Sequence, residues 1–328
     1  MMNELDNSPD VSPLSVSVVV PVYNSENTIE TLVERIEATL SFRAAAFEVI
    51  LVNDCSRDRS WEIIRHLVET RVNIRGIDLM RNYGQHAAIL RGIRSARHDV
   101  VVTLDDDLQN PPEEIPKLLD KLGQGHDVVY GVSETRRHGA WRNVASRVSR
   151  LFLRSVTPAS VARMVTGFRA FRTPVRNAFS GYASPFVFID ALLPWATTRF
   201  AAVSVRHEPR RTGASNYTFW KLFTLGVDMM TGFSTLPLRF ASLVGFAFTL
   251  FGMGVLVYVL GRYLLLGYSV PGFPFLASTV AIFSGAQLFA IGIIGEYLAR
   301  MHFRSMGRPV SVERETIGFP TESENPRS

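Results

Sequence analysis

The sequence predicts an α/β domain built on a mostly parallel sheet, followed by two transmembrane helices. From Ser15 onward, short β-branched runs alternate with stretches of helical periodicity, which is typical of repeated β-α units. Near the C-terminus, two long runs lack any charged residue. The chain has 328 residues, 47% of them hydrophobic, and its single cysteine excludes an internal disulfide framework and a structural zinc cluster.

The first part of the chain contains the predicted sheet. Residues 1–14 are polar and aperiodic, so we expect a disordered leader and no signal peptide. Continuous apolar runs of strand length predict strands that are buried on both faces. These runs are Val16–Val20, Glu48–Val52, Ile74–Leu79, Val100–Leu104 and Val128–Tyr130. The stretches between the first four runs repeat apolar residues at helical spacing.

The two uncharged runs, Phe240–Gly261 and Phe273–Gly295, predict membrane spans of 22 and 23 residues. As helices they would extend roughly 33 Å, enough to cross a hydrocarbon core of about 30 Å. A pair of buried core helices is the alternative. The loop between the runs has one basic residue, whereas the outer flanks carry Lys221, Arg239, Arg300, Arg304, Arg308 and Arg314. The positive-inside rule therefore predicts a multi-pass membrane protein with both termini in the cytoplasm and the loop outside.

The predicted organisation has four parts. They are a leader (1–14), a catalytic domain with juxtamembrane helices (15–235), two transmembrane helices (236–300) and a basic cytoplasmic tail (301–328). Two apolar stretches, Phe186–Trp195 and Lys221–Leu236, fit either helices on the membrane surface or ordinary core packing. Although the net charge is +5, no basic block is interleaved with aromatic residues, so we expect no nucleic-acid partner.

Three acidic residues, Asp105, Asp106 and Asp107, follow the fourth apolar run. Like charges this close repel one another, which favours a bound cation, and oxygen ligands suit Mg²⁺ or Mn²⁺. A solvated acidic turn is the alternative. Tyr23, after the first run, offers an aromatic face for a nucleobase or belongs to a plain turn. Asp54, after the second, accepts a hydrogen bond from a base or lies in a helix cap.

Together these runs resemble the GT-A glycosyltransferases, which have a Rossmann-like sheet. Within them the chain resembles the branch that moves a sugar from a nucleotide donor onto a polyprenyl phosphate. That branch includes dolichyl-phosphate mannose synthase, bactoprenol glucosyltransferase and undecaprenyl-phosphate formamido-arabinose transferase, and the last is the most similar. The likeness covers Ser15 to Arg314. Its motifs are Pro21–Glu26, Asn53–Ser56, Arg81–His86, Asp105–Glu114, Ile294–Tyr297 and Arg308–Pro309.

The resemblance implies roles for individual residues. The nucleotide sugar would contact Pro21, Tyr23, Asn24, Glu26, Asp54, Asn82, Gly84, Gln85, Asp105 and Asp106. Asp107 would ligate the metal, with Gln109 close to it. The acceptor phosphate would face Arg136, Ser146, Arg210 and Ser215, and Arg142 and Arg169 would join Asp107 in catalysis.

Four positions depart from the family pattern. Asp106 stands where alanine is usual, Cys55 where glycine is usual, and Asn216 where lysine is usual. Gly167 stands where many relatives have an aspartate that is sometimes assigned to catalysis. These changes bear on which sugar is transferred more than on the class of reaction.

The resemblance implies an inverting, metal-dependent transfer from a nucleotide sugar, with UDP expected, to undecaprenyl phosphate. The transfer would take place at the cytoplasmic face of the bacterial inner membrane. The product would serve cell-envelope glycan or lipid modification, and relatives suggest a homo-oligomer such as a tetramer. Two alternatives stay open. One is a non-catalytic, membrane-anchored scaffold that binds nucleotide sugars. The other is a processive polysaccharide synthase, which would normally show a Gln-x-x-Arg-Trp motif that this sequence lacks.

Overall fold

The computed structural model describes residues 14–133, 161–184, 186–208, 235–266 and 272–319, to which all structural statements refer. Its strands are β1 (Val16–Val22), β2 (Phe47–Asn53), β3 (Ile74–Leu79), β4 (Val100–Thr103), β5 (Val128–Ser133), β6 (Arg169–Arg172), β7 (Phe200–Val205) and β8 (Glu313–Ile317). Its helices are α1 (Ile29–Leu40), α2 (Ser60–Thr70), α3 (Gln85–Ser95), α4 (Ile115–Gly123), α5 (Ile189–Leu192), α6 (Leu236–Leu266) and α7 (Phe273–Ser305).

The centre of the sheet is parallel, as the sequence predicts. The eight strands have the order β7-β5-β6-β4-β1-β2-β3-β8, and β4, β1, β2 and β3 pair in parallel. All seven residues of β1 are buried, because helices cover both faces of a sheet built from βαβ units. The apolar sides of α1 and α4 belong to the same core, through Leu32, Ile36, Leu118 and Leu122.

One half of the sheet is mixed. The short strand β6 pairs antiparallel with both β4 and β5, and β7 pairs in parallel with β5. Thr103, at the end of β4, lies opposite Arg169, at the start of β6. This register brings the segment before β6 to the same edge as the turn after β4.

The last strand, β8, closes the opposite edge by pairing antiparallel with β3. Ion pairs fix it there: Arg314 Nη1 lies 3.1 Å from Asp78 Oδ2, and Arg65 Nη2 lies 2.7 Å from Glu315 Oε2. Residues 313–317 fall in the segment assigned from the sequence to a basic tail. Because only alternate residues of this edge strand are partly covered, its sequence lacks the continuous apolar run that marks the inner strands.

The helices α6 and α7 belong to a second compact unit. Segments 236–262 and 282–305 are long and apolar enough to cross a membrane, with mean hydropathies of 2.3 and 1.5 and none of the most apolar window buried. The two helices pack against each other where Phe283 covers Gly252, at which a Cβ would lie 2.6 Å from the ring. The helix α7 continues to Ser305, five residues beyond the predicted limit of the spans.

The apolar stretch 186–195 packs within the sheet-containing unit. Ile189, Ala191, Leu192 and Leu193 are buried there, whereas Trp195 is 53% exposed. Core packing, one of the two alternatives, therefore accounts for most of this stretch. The other stretch, Lys221–Leu236, lies almost entirely outside the described residues.

Candidate active site

The carboxyl ends of β1, β2 and β4 meet at one edge of the parallel sheet, where ligands of such sheets bind. The turns after these strands contain Tyr23, Asp54 and the acidic residues 105–107. Each turn holds one non-glycine residue with positive φ: Asn24 at 54°, Cys55 at 57° and Leu108 at 59°. Such conformations cost about 1–3 kcal/mol each and cluster at functional sites. The turn at Cys55 thus tolerates a side chain in a left-handed conformation.

Asp106 joins the turn after β4 to the turn after β1. Its Oδ2 accepts a hydrogen bond from the backbone N–H of Tyr23 at 3.1 Å and another from the hydroxyl of Ser25. Burial raises the pKa of Asp106, and these two hydrogen bonds oppose that shift. Ser25 was not among the predicted site residues, because nothing in a single serine signals a partner about eighty positions away.

Asp54 joins the end of β2 to the loop after β3. The backbone N–H groups of Tyr83 and Gly84 donate to its two carboxylate oxygens, at 2.7 and 2.9 Å. Gly84 has a φ of 92°, which favours glycine, and it directly precedes α3. Burial raises the pKa of Asp54, while the same two hydrogen bonds act to lower it. The structure thus joins Asp54 to Gly84, and the sequence analysis assigned both residues to nucleotide-sugar binding.

Asp105 is the first residue of the acidic turn. Its Oδ1 accepts a hydrogen bond of 2.6 Å from the side-chain amide of Gln85, the first residue of α3. Burial, followed by the charges of Asp107 and Asp106, raises the pKa of Asp105 to about 6, against a smaller opposing effect of Arg169. Burial is the larger cause of this raised pKa, and the two neighbouring carboxylates add a repulsion that a cation would relieve.

Asp107 and Gln109 lie in the same tight turn. Oδ1 of Asp107 accepts the backbone N–H of Gln109 at 3.1 Å, and the carbonyl of Gln109 accepts the N–H of Glu208 at 2.8 Å. Among the described residues, no three acidic, histidine or cysteine side chains converge as a metal site. Mg²⁺, however, is usually held by one or two carboxylates, waters and substrate phosphates. The acidic turn fits an ion of that kind.

Beneath the turn, Arg169 forms a buried polar cluster with three residues. Its guanidinium pairs with Asp190 and donates through Nε to Thr103 Oγ1 at 3.0 Å, and it is 1% exposed. The hydroxyl of Tyr130 donates to the same Asp190 carboxylate at 2.9 Å. Arg169, predicted to be catalytic, is therefore enclosed by protein groups. The sequence analysis did not predict Asp190 or Tyr130 as site residues. Asp190 lies in an apolar stretch and Tyr130 in an apolar strand, and both segments look like core.

His86 borders this cluster. Its ring packs edge-on against Phe188, with centroids 4.7 Å apart, and its buried Nδ1 has no hydrogen-bond partner. Burial lowers the pKa of His86 to about 4, with Asp190 raising it and Arg169 lowering it by smaller amounts. The imidazole is thus neutral near pH 7. The sequence placed His86 in a family motif but gave it no role.

The remaining predicted residues divide into two groups. Near the acidic turn, Tyr23 is 44% exposed, the Asn24 side chain accepts the N–H of Arg57, and Glu26 accepts the N–H of Arg59. Pro21 is buried within β1, and Asn82 is exposed. Arg136, Arg142, Ser146, Arg210 and Ser215 lie outside the described residues. The described residues therefore include those predicted to bind the nucleotide sugar and the metal, but not those predicted to bind the acceptor phosphate.

Comparisons with known proteins identify the family. The model of "Glycosyl transferase family 2" matches residues 17–178. Among curated relatives, the undecaprenyl-phosphate 4-deoxy-4-formamido-L-arabinose transferase of Pseudomonas paraeruginosa is 39% identical over 93% of this chain and 91% of its own. The protein of that name from Pectobacterium carotovorum is 36% identical over 94% and 95% of the two chains.

Among solved structures, one match is glucosyl-3-phosphoglycerate synthase from Mycobacterium tuberculosis, in complex with Mn²⁺, UDP and phosphoglyceric acid. It is 22% identical, covers 66% of this chain and 76% of its own, and has a TM-score of 0.48. The family assignment comes from the family model and from the curated relatives, which align along most of their length. The chain belongs to glycosyl transferase family 2 and is a glycosyltransferase, as its motifs predict.

Proposed function

We propose that this glycosyltransferase moves a sugar from a nucleotide sugar, with UDP as the expected nucleotide, to undecaprenyl phosphate or a similar polyprenyl phosphate. The observation that carries the proposal is the acidic turn 105–107, which is hydrogen-bonded to the turn after β1 and to the start of α3. It occurs in a chain with two helices apolar enough to cross a membrane. The curated relatives are named for transfer to that class of lipid.

The donor would bind across the turns after β1, β2 and β4. The exposed ring of Tyr23 offers a stacking surface for the base. Asp54 holds the loop with Gly84 and Asn82 in place, and each carboxylate oxygen keeps a second lone pair for a base or ribose. The diphosphate would then lie over the acidic turn, with Gln85 at its side.

The acidic turn supplies ligands for a divalent cation. Asp107, with Gln109 close to it, would hold Mg²⁺ or Mn²⁺, whose charge would neutralise the diphosphate leaving group. Asp106 is bound to Ser25 and Tyr23, so its part is to fix the geometry of the turn.

The acceptor needs little activation. A phosphate monoester is largely dianionic at neutral pH, because its second pKa is about 6. Positioning and charge stabilisation then account for catalysis, and direct attack on the anomeric carbon inverts its configuration. Arg136, Arg142 and Arg210, with Ser146 and Ser215, would hold this phosphate, since guanidinium groups bind phosphate through two parallel hydrogen bonds. Arg169, enclosed with Thr103 and Asp190, would serve as a positioning residue through the effect of its charge on Asp105.

Chain connectivity and charge support the proposed membrane arrangement. Strands β7 and β8 belong to one sheet, yet they precede and follow the two apolar helices. If both helices cross the membrane, they therefore cross in opposite directions and return the chain to the same side. The basic flanks favour the cytoplasm as that side. An anchored site meets the lipid phosphate without extracting its chain, at a saving of about 0.8 kcal/mol for each CH₂ left in the bilayer.

The proposal is tested by offering the purified full-length protein a panel of nucleotide sugars together with a short-chain polyprenyl phosphate. Mass spectrometry of the lipid fraction should show one product, heavier by a single sugar residue. A ladder of added sugars would indicate a processive synthase instead. Calorimetric binding of a nucleotide sugar without any lipid product would indicate a scaffold.

A further inference from the structure

Gly167 is fixed beside the acidic turn by its own backbone. Its carbonyl accepts a hydrogen bond of 2.8 Å from the hydroxyl of Thr103, the last residue of β4. Thr103 also lies opposite Arg169 in the antiparallel pairing of β4 with β6. The segment before β6 therefore passes directly next to the point where Asp105 leaves the sheet.

The space beside Gly167 is filled by the Asp105 carboxyl group. A Cβ at position 167 would lie 2.4 Å from Oδ2 of Asp105, 3.0 Å from its Cγ and 3.0 Å from its Oδ1. Carbon atoms do not approach carboxyl groups this closely. The φ of Gly167 lies outside the left-handed region, so its backbone conformation is open to other residues. In this chain, the Asp105 carboxyl group thus occupies the space that a side chain at position 167 would need.

The position of Asp105 is defined from two further sides. Gln85 donates to its Oδ1 at 2.6 Å from the start of α3. The positive charge of Arg169 also acts on it, and Arg169 is itself held by Thr103 and Asp190. The Asp105 carboxyl group is therefore bonded to Gln85 and packed against Gly167.

We propose that Gly167 is a positioning residue, whose missing side chain provides the space that keeps the Asp105 carboxyl between Gln85 and Arg169. Its effect on substrate rests on the proposed function, in which Asp105 lies beside the nucleotide. Any side chain at position 167 displaces that carboxyl group and breaks its hydrogen bond with Gln85. The acidic turn then presents its charges to the donor in the wrong place.

The first test compares Gly167→Ala with Gly181→Ala in the full-length protein in detergent. Gly181 is a matched control, because it is exposed and a Cβ there meets no atom within 4 Å. The probe is UDP in the presence of Mn²⁺, with its Kd measured by calorimetry. We expect Gly167→Ala to weaken binding at least tenfold and Gly181→Ala to change it less than twofold. Wild-type affinity in Gly167→Ala would overturn the proposal.

The second test adds Asp105→Ala and the double variant Asp105→Ala/Gly167→Ala. Without the carboxyl group the new methyl group has room, so the second substitution should change Kd less than twofold in the Asp105→Ala background. Equal losses in both backgrounds would overturn the proposal. So would failure of both Gly167→Ala and the double variant to fold, whereas a folded double variant beside an unfolded Gly167→Ala would support it.

The melting temperatures of the same four proteins, measured without ligand, give an independent result. Gly167→Ala should lower the melting temperature of the wild type and leave that of Asp105→Ala unchanged. This comparison decides the question if Asp105→Ala alone abolishes binding. If the wild type binds no Mn²⁺–UDP, the expected donor class is wrong, while the melting temperatures still test the contact between positions 105 and 167.

Discussion

The backbone N–H of Gly84 donates to Oδ2 of Asp54 at 2.9 Å, which fastens the loop after β3 to the end of β2. The contact gives Asp54 a role that its sequence position did not reveal. A carboxylate expected to bind substrate also holds the adjacent loop, so loss of its charge changes both loop and donor site.

We therefore expect Asp54→Asn to lower stability by about 1–3 kcal/mol, because an amide NH₂ group would face a backbone N–H. Thermal unfolding measures this loss, and donor affinity should fall with it. Asp120→Asn is the control, since Asp120 is 65% exposed and pairs with Arg43 at 3.4 Å. That variant should stay within about 0.5 kcal/mol of wild type. Similar losses in the two variants would contradict the role of Asp54.

Asp107→Ala should abolish sugar transfer, because the side chain would ligate the metal. The variant should still fold and insert into the membrane, because Asp107 is not part of the hydrophobic core. Chelation with EDTA should remove the activity of the wild type, and Mn²⁺ or Mg²⁺ should restore it. Asp120→Ala provides the control for loss of one surface carboxylate. Near-normal transfer by Asp107→Ala, or full activity in chelator, would exclude this residue as a metal ligand.

His86 should make the protein less stable in mild acid. Its pKa in the folded state is about 4, below the ordinary value of 6.5, so the unfolded chain binds more protons between these two values. His86 therefore leaves the free energy of unfolding unaffected well above pH 6.5 and lowers it as the pH drops toward 4. We expect about 1–2 kcal/mol of this loss between pH 7 and pH 5. Melting temperatures of His86→Gln should depend less on pH, whereas those of the exposed variant His66→Gln should follow the wild type.

Loss of either partner of the buried pair Arg169–Asp190 should strongly lower the free energy of unfolding. Asp190→Ala leaves the guanidinium without its counter-charge, so we expect the free energy of unfolding to fall by about 3–5 kcal/mol. The double variant Arg169→Met/Asp190→Ala should recover much of that loss. In the exposed pair of Arg43 and Asp120, the matched single substitution should cost under about 1 kcal/mol. Equal costs at the two pairs would refute the buried pairing.

The topology can be tested with cysteines introduced into a Cys55→Ser background. Ser269→Cys lies in the predicted external loop, so a membrane-impermeant maleimide should label it in intact cells. Ser305→Cys, at the end of α7, should be labelled only after the cells are opened. The reverse pattern would invert the orientation, and labelling of both in intact cells would exclude the proposed pair of spans.

Much of the fold could be predicted because its inner strands are continuous apolar runs. The runs that became β1 to β5 differ from the observed strands only at their ends. Strand β6 is only four residues long, and β8 alternates instead of forming an apolar run, so neither was predicted. Short and one-sided strands depend on their neighbours more than on their own composition.

The sequence suggests which residues belong to the candidate site, but not which of them touch one another. The acidic turn, Asp54 and Gln85 lie at one edge of the sheet. The sequence could suggest them because they follow strand ends and belong to family motifs. The pairing of Arg169 with Asp190 and the fit of Gly167 against Asp105 arise only when distant segments are folded together. No local pattern encodes which carboxylate an arginine will meet.

The order of synthesis gives β8 a further consequence. The ribosome completes both apolar helices before it releases β8, so β3 has an open edge while the hydrophobic segments are being inserted. The sheet can be sealed only after insertion. A chain that ends within α6 or α7 lacks β8, so its β3 keeps an unpaired edge that another chain can pair with.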